Sequence, residues 1–531
     1  MMLSFLTIVL LSSSWVASAD NNNHEGFLQC LPLHSDGSAA ISKLIHTPIN
    51  SSYTSVLQST IQNLRFNTTA TPKPIVVVTP QNASHIQAAI ICAQKHDLQI
   101  RIRSGGHDYE GLSYVARDPF VVLDMINLRE VTVDVETSTA WVQSGATLGE
   151  LYYKIGNASR TLAFPAGLCP TVGVGGHFSG GGYGGLMRKY GLAADNVIDA
   201  QLVDVKGRIL DRASMGEDLF WAIRGGGGNT FGVVVSWKIN LVKVPPTVTV
   251  FSVPRALEQN ATKLIHRWQY IGSKLPEDLL VAVFVRRANL TREGNLKTVL
   301  ATFNSLFLGD AEKLLELMQE SFPELGLVKE DCRELSWIEF AVFFSGYPPN
   351  SSFDVLLNRT LLVRRSFKAK SDYVREPMPE VAWQGMWEKF FRVNDTEAPR
   401  FIMTPYGGKM DQIPESQIPF PHRAGVLFKI HYLIYWDGEE NDVAQRSISL
   451  IRGLYSYLTP YVSKNPREAY VNYRDLDLGT NNQGNTSYRQ ARVWGAKYFK
   501  NNFDRLVHVK TAADPSNFFR TEQSIPPFMS W

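Results

Sequence analysis

An imidazole and a thiol, two side chains able to bond covalently to other groups, each stand inside a glycine-dense stretch of this sequence. His107 lies in the stretch 103–109, and Cys169 lies in 165–173, which continues into further glycines up to 185. Consecutive glycines let backbone N–H groups approach and point at phosphate oxygens, because no Cβ intervenes. The two stretches therefore predict a cradle for a large anionic cofactor, with His107 and Cys169 as its attachment points.

Each of these features has a plainer explanation when it is taken alone. A glycine run is often a structural turn, a histidine is often a hydrogen-bonded core side chain, and a cysteine is often a small buried hydrophobe. The stretch 173–177 lacks the Rossmann spacing, and no strand–turn–helix unit with an acid about 20 residues further on follows it. The sequence also contains no Walker lysine, no H-E-x-x-H zinc pair and no G-x-S-x-G elbow, so no metal site is predicted.

The elements that must position these residues indicate an α+β fold. A strand over 99–103 leads into the first glycine stretch, and an amphipathic helix over 84–96 precedes it, with Ser84 as the expected N-cap. After Pro245 and Pro246, strands alternate with amphipathic helices, which predicts a second α+β domain with an antiparallel sheet backed by helices. The predicted divisions are a signal peptide at 1–19, an N-terminal part of the cofactor domain at 20–69, the cofactor domain at 70–245, a substrate domain at 246–465 and a C-terminal segment at 466–531 that packs back on the cofactor domain.

The start of the chain and its asparagines indicate secretion. Residues 3–11 are almost wholly apolar and lead to a small-residue cleavage site ending at Ala19, as in a signal peptide. This run is shorter than the roughly 20 apolar residues of a membrane helix, and no later stretch resembles one, so no membrane partner is expected. N-x-S/T sequons begin at Asn50, Asn67, Asn82, Asn157, Asn260, Asn289, Asn350, Asn358, Asn394 and Asn485. These patterns predict a glycosylated eukaryotic protein that is extracellular, in the cell wall or in the vacuole.

Charge and cysteine content narrow the partners further. The net charge is only +3 and no basic tract stands out, so a nucleic-acid partner is not expected. The basic residues within 364–370 are expected to form a solvated face. Cys30 and Cys92 are expected to pair as a disulfide in an oxidising compartment, and the alternative is two buried thiols. Cys332 receives no function, and the protein is expected to be a monomer.

Five segments together resemble the plant berberine bridge enzyme-like family. R-S-G-G-H-D at 103–108, followed by Y-E-G-L-S-Y, is similar to the family's histidyl-flavin loop, and F-P-A-G-L-C-P-T-V-G at 164–173 is similar to its cysteinyl-flavin segment. The segments at 221–229, 470–478 and 514–526 also match. The similarity covers nearly all of the mature chain. It implies a flavin domain of the PCMH or vanillyl-alcohol-oxidase type within the α+β fold.

The resemblance implies FAD held by two covalent bonds, from His107 to the 8α-methyl carbon and from Cys169 to carbon 6. Both flavin atoms lie on one edge of the ring system, so loops 62 positions apart must converge there. Such attachment would keep the cofactor on a secreted enzyme and tune its ring. The other residues expected around FAD are Arg103, Ser104, Gly105, Gly106, Ser113, Thr171, Val172, Gly173, Gly175, Gly176, His177, Gly180, Asn196 and Val233.

The family's active site can be transferred where the residues match. Tyr473 matches the tyrosine that acts as general base in many members, and Tyr183 and Lys429 match its neighbours. An unperturbed tyrosine has a pKa near 10, so a base at neutral pH needs a nearby cation, which Lys429 could supply. The alternative is that Tyr473 only hydrogen-bonds the cofactor region. Tyr109 and Thr404 are expected to line the substrate pocket, and Thr404 stands where cannabinoid-forming members have a tyrosine.

His431 departs from the family pattern, in which many relatives have glutamine. Lys429 and His431 alternate on a predicted strand and therefore face one side. A histidine here could bind substrate, act as a second base or alter the chemistry. It could equally be a histidine that simply packs in the sheet.

The small side chain of Val172 predicts an oxidase, because in the family a valine at this position leaves oxygen a path to reduced flavin. We expect a secreted FAD-dependent oxidase that removes a hydride from an alcohol, a sugar or a specialised metabolite to flavin N5. The partners would be this small-molecule substrate and O2, with H2O2 as a product. The alternatives are an oxidative cyclase, a non-redox cyclase of the Diels–Alderase type, and a secreted binding or allergen-like protein with weak catalysis.

Overall fold

The computed structural model describes residues 23–36, 41–289, 297–348, 350–361, 363–392, 398–438, 441–482 and 486–528. The predicted signal peptide and the sequons at Asn394 and Asn485 lie outside the described residues. The strands are β1 Ile45–His46, β2 Val76–Val78, β3 Gln99–Arg103, β4 Phe120–Asp124, β5 Val131–Asp134, β6 Thr139–Gln143, β7 Leu162–Ala163, β8 Val197–Val203, β9 Ile209–Leu210, β10 Val233–Asn240, β11 Val242–Lys243, β12 Val248–Ala256, β13 Leu279–Asn289, β14 Lys297–Phe307, β15 Cys332–Leu335, β16 Ser366–Val374, β17 Arg400–Pro405 and β18 Phe428–Trp436.

The α-helices are distributed among these strands along the described chain. Together with the mainly antiparallel sheets they confirm the predicted α+β class. The domain boundaries drawn from the sequence stay predictions. The helices are Tyr53–Ser59, Ala83–Lys95, Leu148–Ala158, Val174–Ser179, Met187–Tyr190, Arg212–Ile223, Ala261–Ile271, Ala311–Ser321, Trp337–Phe344, Glu380–Phe391, Lys409–Gln412, Asn441–Tyr457, Tyr488–Phe499 and Asn502–Ala513.

The first sheet has the order β1-β2-β4-β3, and its three strands β2, β4 and β3 run parallel. Its inner strands β2 and β4 are apolar without alternation because both faces are covered: Val121 and Leu123 belong to one apolar cluster, and Val122 belongs to another. The helix Ala83–Lys95 begins at Asn82, whose side chain accepts a hydrogen bond from the backbone N–H of His85. The expected N-cap at Ser84 is therefore wrong by two residues.

A second sheet of five antiparallel strands, in the order β5-β6-β10-β8-β9, lies next in the chain, together with the short pair β7 and β11. A disulfide joins Cys30 to Cys92, as the sequence predicted, and ties the N-terminal residues to the helix Ala83–Lys95. The C-terminal end of β3 continues directly into the first glycine stretch, so the position of β3 places that loop at the cavity described below.

The third sheet has seven antiparallel strands in the order β15-β12-β14-β13-β17-β18-β16. Its central strands alternate strictly: on β18, Ile430, Tyr432 and Ile434 pack into an apolar core shared with the helices Ala261–Ile271, Glu380–Phe391 and Asn441–Tyr457. The opposite side chains of β18, β17 and β13 line a cavity. The predicted antiparallel sheet backed by helices is thus present. Because side chains alternate between its two faces, one face packs into the apolar core and the other lines the cavity.

The basic stretch 364–370 is not a solvated face, contrary to the sequence prediction. It continues into β16, the edge strand of the seven-stranded sheet, and Lys368 and Lys370 are only 2% and 1% exposed. Their ammonium groups meet carboxylates from distant parts of the chain, 258 positions away in the case of Glu110. A local sequence pattern cannot show partners at that separation, so the usual expectation for clustered lysines failed here.

The C-terminal part of the chain returns to the earlier sheets. The backbone N–H of Tyr470 donates to Ser371 Oγ on β16 at 2.9 Å. Lys510 donates to the carbonyl oxygen of Thr230 and forms a fully buried ion pair with Asp514. Among the residues that the structure describes, we find no helix with the length and apolar character needed to cross a membrane.

Candidate active site

A cavity of about 780 Å³ lies where the two glycine stretches meet the seven-stranded sheet. Its walls come from the loop after β3, from the segment 167–177, from 227–234, from 470–474 and from the outward faces of β13, β17 and β18. A volume of this order suits a drug-sized or larger ligand. The sequence separated these walls by hundreds of positions, and the fold assembles them into one chamber.

The two glycine stretches touch backbone to backbone. A Cβ on Gly105 would collide with the backbone N of Gly173, and a Cβ on Gly173 would collide with the backbone N of Gly105. Any larger residue at either position would push the loops apart. Glycine at these two positions therefore allows two segments of the backbone to approach closely, and this approach brings His107 and Cys169 together.

His107 and Cys169 converge on one hydroxyl group. His107 Nε2 lies 2.9 Å from Thr171 Oγ1, and Cys169 Sγ lies 3.6 Å from the same oxygen. Burial lowers the pKa of His107 to about 4, so its imidazole is neutral and can use a ring nitrogen as a nucleophile. Burial raises the pKa of the Cys169 thiol, while hydrogen bonds from Thr171 and Val172 oppose that shift.

The wall beside these loops has room for a large group with phosphates. A Cβ built on Gly176 meets no protein atom within 4 Å, and those on Gly227 and Gly228 meet nothing closer than 3.5 Å. These glycines thus border open space, unlike Gly105 and Gly173. Bare backbone along a cavity wall is the surface that an anionic dinucleotide requires, so the residues present fit a cofactor such as FAD.

Most of the residues predicted around the cofactor do line the cavity. Those on its wall are Ser104, Gly105, Gly106, His107, Ser113, Cys169, Thr171, Val172, Gly173, Gly175, Gly176 and His177, together with Tyr109, Tyr183, Thr404, His431 and Tyr473. His177 Nε2 accepts a hydrogen bond from the backbone N–H of Gly167 at 3.0 Å. Burial, with Lys429 and His107 nearby, lowers the pKa of His177 to about 3, so this imidazole serves as a neutral acceptor that shapes the second glycine stretch.

Four of the predicted cofactor residues lie behind the wall and do not line the cavity. Arg103 is fully buried and pairs with Asp124 at 2.6 Å. A Cβ on Gly180 would collide with Asn472.

The other two belong to local structure as well. Asn196 donates to the carbonyl oxygens of Tyr190 and Leu192, both at 2.9 Å, and Val233 pairs with Val203 between β10 and β8. These four residues support the loops that reach the cavity, and any direct contact with cofactor stays a prediction for them.

A stack of three rings closes the other side of the chamber. The ring centroids of His431 and Tyr473 are 3.7 Å apart, with an interplanar angle of 17°. The ring centroids of Tyr109 and Tyr473 are 5.2 Å apart, with an interplanar angle of 7°. The hydroxyl groups of Tyr473 and Tyr183 are hydrogen-bonded to each other. The sequence singled out all four residues, and the structure brings them together at one spot.

Lys429 lies behind this stack, enclosed by aromatic rings. Its Nζ is 3.1 Å from the ring centroid of Tyr183, 4.4 Å from that of Tyr473 and 4.6 Å from that of Tyr470. It has no hydrogen-bond partner among the described residues, and desolvation lowers the pKa of Lys429 well below its ordinary value. Burial and neighbouring tyrosines raise the pKa of Tyr473 well above 10, so the expected shift toward phenolate is not present in this arrangement.

His431 faces the same side of β18 as Lys429, as the alternation predicted. Its Nε2 lies 3.3 Å from the hydroxyl oxygen of Tyr109, and its Nδ1 is buried without a hydrogen-bond partner among the described residues. Desolvation and the neighbouring Lys429 keep the pKa of His431 well below 6.5, so the ring is neutral. It can accept or donate one hydrogen bond at the substrate side, but it carries no charge.

Several lining residues were missed from the sequence as site residues. The stretch Gly227 to Gly232 forms one wall, and its glycine run was visible in the sequence. Leu433 and Tyr435 line the cavity because they follow His431 at the period of β18, a signal that could have found them. Phe284, on β13, gave no such signal.

Comparisons with known proteins agree with this geometry. Residues 74–212 match the FAD binding domain family, and residues 469–526 match the family described as berberine and berberine like. A tetrahydroberberine oxidase of Berberis wilsoniae is 54% identical over 99% of this chain and 98% of its own length. The chain belongs to the berberine bridge enzyme-like family. It is accordingly an FAD-linked oxidoreductase.

Solved structures of berberine bridge enzyme-like proteins share the fold. A structure of the family member numbered 28 from Arabidopsis thaliana has a TM-score of 0.89 and 49% identity, covering 95% of this chain and 100% of the other. Wild-type Phl p 4.0202, described as a glucose dehydrogenase, has a TM-score of 0.89 and 45% identity with the same coverage. A variant of Phl p 4 in which isoleucine is replaced by valine is described as a glucose oxidase. These likenesses confirm the predicted FAD-binding architecture.

Proposed function

We propose that this berberine bridge enzyme-like protein is a secreted, monomeric oxidase that removes a hydride from a hydroxyl-bearing substrate and uses O2, with H2O2 as the second product. The observation that carries the proposal is that one chamber holds the pair His107 and Cys169 on one side and Tyr473 on the other. FAD, when bound, supplies a two-electron acceptor that O2 can reoxidise.

We propose that His107 and Cys169 would hold FAD by one covalent bond each, at the 8α-methyl carbon and at carbon 6. Their convergence on Thr171 Oγ1 supports this, because two bonds to one edge of a ring system need two side chains at one place. Each bond would replace a C–H bond of the flavin, and the two protons and the electron pair released would pass to O2 to give H2O2. A neutral imidazole is ready to act as a nucleophile. The thiol must lose its proton first, and the hydroxyl of Thr171 is placed to stabilise the resulting thiolate.

We propose that Tyr473 accepts the proton of the substrate hydroxyl. Its hydroxyl is hydrogen-bonded to that of Tyr183, so a negative charge on Tyr473 would be shared with a second phenol. Lys429 lies over both rings, and an ammonium group there would favour that charge. Burial disfavours an isolated ammonium and an isolated phenolate alike. Transfer of the Tyr473 hydroxyl proton to the neutral amine of Lys429 creates both charges together as a pair.

The wall beyond His431 favours an apolar, aromatic alcohol among the substrate classes considered. Phe284, Ile402, Leu433, Tyr435 and Phe367 line this part of the cavity. A sugar needs many polar partners, whereas this surface offers few, and an aromatic ring gains most from such walls.

The described residues of the same cavity offer no free negative charge to a cationic substrate. Among the described lining residues, Asp108 is the acid, and Arg474 Nε lies 3.4 Å from its carboxylate. The backbone N–H groups of Glu110 and Leu112 also donate to Asp108 at 3.0 Å. We therefore place a neutral aromatic alcohol ahead of a sugar or an ammonium compound.

We propose O2 as the natural acceptor because Val172, on the cavity wall, is small. In the descriptions of two Phl p 4 proteins, exchange of one isoleucine for valine accompanies a change from dehydrogenase to oxidase, which supports the idea that one small side chain can decide the acceptor in a protein of this fold. Replacement of Val172 by isoleucine should slow reoxidation by air and leave anaerobic reduction unchanged. Reoxidation at an equal rate in both proteins, measured by stopped flow, would remove Val172 from the argument.

Secretion is supported by the disulfide and by the surface of the chain. The sequon asparagines that are exposed in the described residues are Asn50, Asn82, Asn157, Asn260, Asn289, Asn350 and Asn358. Asparagines that a glycosyltransferase must reach have to be accessible, as these are. The final compartment, whether extracellular, cell wall or vacuole, belongs to the same proposal.

Anaerobic mixing with a panel of aromatic alcohols, sugars and amines is the deciding experiment. The proposal predicts that an aromatic alcohol bleaches the flavin absorbance and that admission of air restores it with release of H2O2. Product formation without bleaching would point to a non-redox cyclase instead. Bleaching with ring closure in the product would point to an oxidative cyclase.

A further inference from the structure

Five buried or partly buried charged side chains form a compact group beside the ring stack, here named the acid–lysine cluster. Its members are Glu110, Lys368, Lys370, Asp475 and Asp477. Lys368 pairs with Glu110 and with Asp475, the latter at 2.8 Å. Lys370 pairs with Asp475 and with Asp477, the latter at 2.9 Å. Neither lysine has an assigned role in the proposed reaction.

The acid–lysine cluster joins three segments that carry the chamber's rings. Glu110 follows Tyr109 directly in the chain, and Asp475 stands two residues after Tyr473. Lys368 is the neighbour of Phe367 on β16, and Phe367 packs edge-on against Tyr109 at 5.1 Å. Glu110 and Asp475 are therefore each one or two residues away from a member of the ring stack.

A second set of contacts follows the same path. Asn63 Nδ2 donates to the carbonyl oxygens of Tyr109 and Phe367, both at 3.1 Å. The backbone N–H of Leu476 donates to Glu110 Oε1 at 3.4 Å. The loop of Tyr109 and the segment of Tyr473 are thus fixed to β16 and to each other, and the lysines supply the charges at the centre.

Burial makes this arrangement geometrically strict. A charge removed from water is tolerated only when opposite charges and hydrogen bonds surround it closely, so the lysines and carboxylates cannot drift apart without a large penalty. An apolar contact of the same area would hold the segments together but would tolerate sliding. The acid–lysine cluster therefore holds the three segments together and also fixes the distances between them.

We propose that Lys368 and Lys370 are positioning residues: through Glu110 and Asp475 they set the distance between Tyr109 and Tyr473, and so the place where a substrate ring and its hydroxyl group lie. The inference rests on the proposed function for its catalytic meaning. It concerns geometry that can be measured whether or not that function holds.

The kinetic test compares Lys368→Met with Lys368→Arg. Loss of the charge should slow anaerobic flavin reduction by the aromatic alcohol that bleaches the intact protein, on the order of 10²-fold, since small misplacements of reacting groups have effects of that size. Flavin content and reduction by dithionite should stay unchanged, and Lys368→Arg should recover most of the rate. A Lys368→Met enzyme that reduces its flavin at the wild-type rate would overturn the proposal.

The structural test is a crystal structure of the Lys368→Met protein with its cofactor. The centroids of Tyr109 and Tyr473 are 5.2 Å apart in the intact protein, and the proposal predicts a wider separation or a lost parallel stack in the variant. An unchanged stack would overturn the proposal. Absence of bleaching by every substrate in the intact protein would refute the proposed function alone, because this structural readout needs no turnover.

A matched control separates positioning from general loss of stability. Arg423→Met breaks a buried ion pair with Asp195 (2.7 Å) that touches none of the three segments. It should lower the melting temperature while leaving flavin reduction at the wild-type rate. If Arg423→Met slowed reduction as much as Lys368→Met, the effect would be one of packing and the proposal would fall.

A milder variant covers the case in which Lys368→Met does not fold. The side chain of Asp477 is 22% exposed and stands at the rim of the cluster, so Asp477→Asn is compatible with folding. It should slow flavin reduction several-fold, with the wild-type flavin spectrum retained. A wild-type rate in Asp477→Asn together with an unchanged ring stack would count against the cluster as a positioning device.

Discussion

Lys429 and Lys368 stand on neighbouring strands of one sheet, and both are withdrawn from solvent, yet their surroundings are opposite. The ammonium group of Lys368 meets two carboxylates, whereas Lys429 meets the faces of three tyrosine rings and no hydrogen-bond acceptor among the described residues. Neighbouring carboxylates raise the pKa of Lys368 against the effect of burial, and burial lowers the pKa of Lys429.

The difference teaches what each lysine is suited for. A charge held by buried carboxylates is permanent, and its value lies in the geometry that it enforces. A buried amine with only ring faces around it gains or loses its proton with small changes nearby, as is typical of groups that take part in proton transfer. The same residue type on the same sheet thus serves structure in the acid–lysine cluster and chemistry in the chamber.

The largest expected effect comes from the hydroxyl group next to Lys429. Tyr473→Phe removes the proposed proton acceptor while retaining the ring stack, so flavin reduction should slow by roughly 10²–10⁴-fold. Tyr373→Phe is the matched control, since Tyr373 is also a buried tyrosine and its hydroxyl contacts Tyr406 outside the chamber. Stopped-flow reduction measures both variants. Equal rates in Tyr473→Phe and the intact enzyme would take Tyr473 out of the mechanism.

Stability should respond in opposite directions to loss of the two lysines. Lys368→Met removes one of the cations beside Glu110 and Asp475 and should destabilise the fold by about 1–3 kcal/mol. Arg65 and Lys370 remain as partners of these two carboxylates and limit the loss. Lys429→Met removes an unsatisfied buried amine and should stabilise it by about 1–3 kcal/mol. Denaturation of the flavin-loaded proteins measures both, and a loss of stability in Lys429→Met comparable to that in Lys368→Met would erase the distinction drawn here.

The sequence showed the chamber better than it showed the acid–lysine cluster. The strand period put Lys429 and His431 on one side of β18, and the family resemblance paired His107 with Cys169, since both signals are local or are carried by motifs. The cluster depends on ion pairs across 258 and 107 positions. No local pattern encodes such pairs, so the sequence alone predicts that Lys368 lies on a solvated face.

Side-chain direction set a second limit on prediction. Arg103 and Asn196 stand in or near the expected cofactor segments, but their polar groups turn inward to a carboxylate and to backbone carbonyls. A motif places the backbone near a site, and the packing of later elements decides which side chains reach it. The same packing leaves Lys429 without a hydrogen-bond partner among the described residues.

The dependence of folding stability on pH should also distinguish the two lysines, with a smaller effect, because their pKa values shift in opposite directions. The pKa of Lys429 is lowered in the fold, so between that value and about 10.5 the unfolded chain binds a proton that the folded chain lacks, and stability rises with pH. This contribution is at most about 1.4 kcal/mol per pH unit. The pKa of Lys368 is raised, so its stabilising contribution is complete below about 10.5 and is lost only as pH rises through the folded value.

Melting temperatures at pH 7, 8.5 and 10 measure this difference. The advantage of Lys429→Met over the intact protein should shrink as the pH rises, whereas the deficit of Lys368→Met should stay constant up to about pH 10. Parallel pH profiles for the two variants would contradict the assigned directions of the pKa shifts.

The smallest expected effect concerns His431, the residue that departs from the family pattern. Because desolvation keeps the pKa of His431 well below 6.5, its imidazole stays neutral across the physiological range and cannot switch the reaction on or off with pH. His431→Gln retains a neutral group that can hydrogen-bond to the hydroxyl of Tyr109, so flavin reduction should change by less than about tenfold, which is the effect of losing one neutral hydrogen bond completely. The pH profile between 6 and 8 should be the same in both enzymes. An ionisation near 6.5 that disappears in His431→Gln would instead make His431 a second base and would give the chamber two proton acceptors.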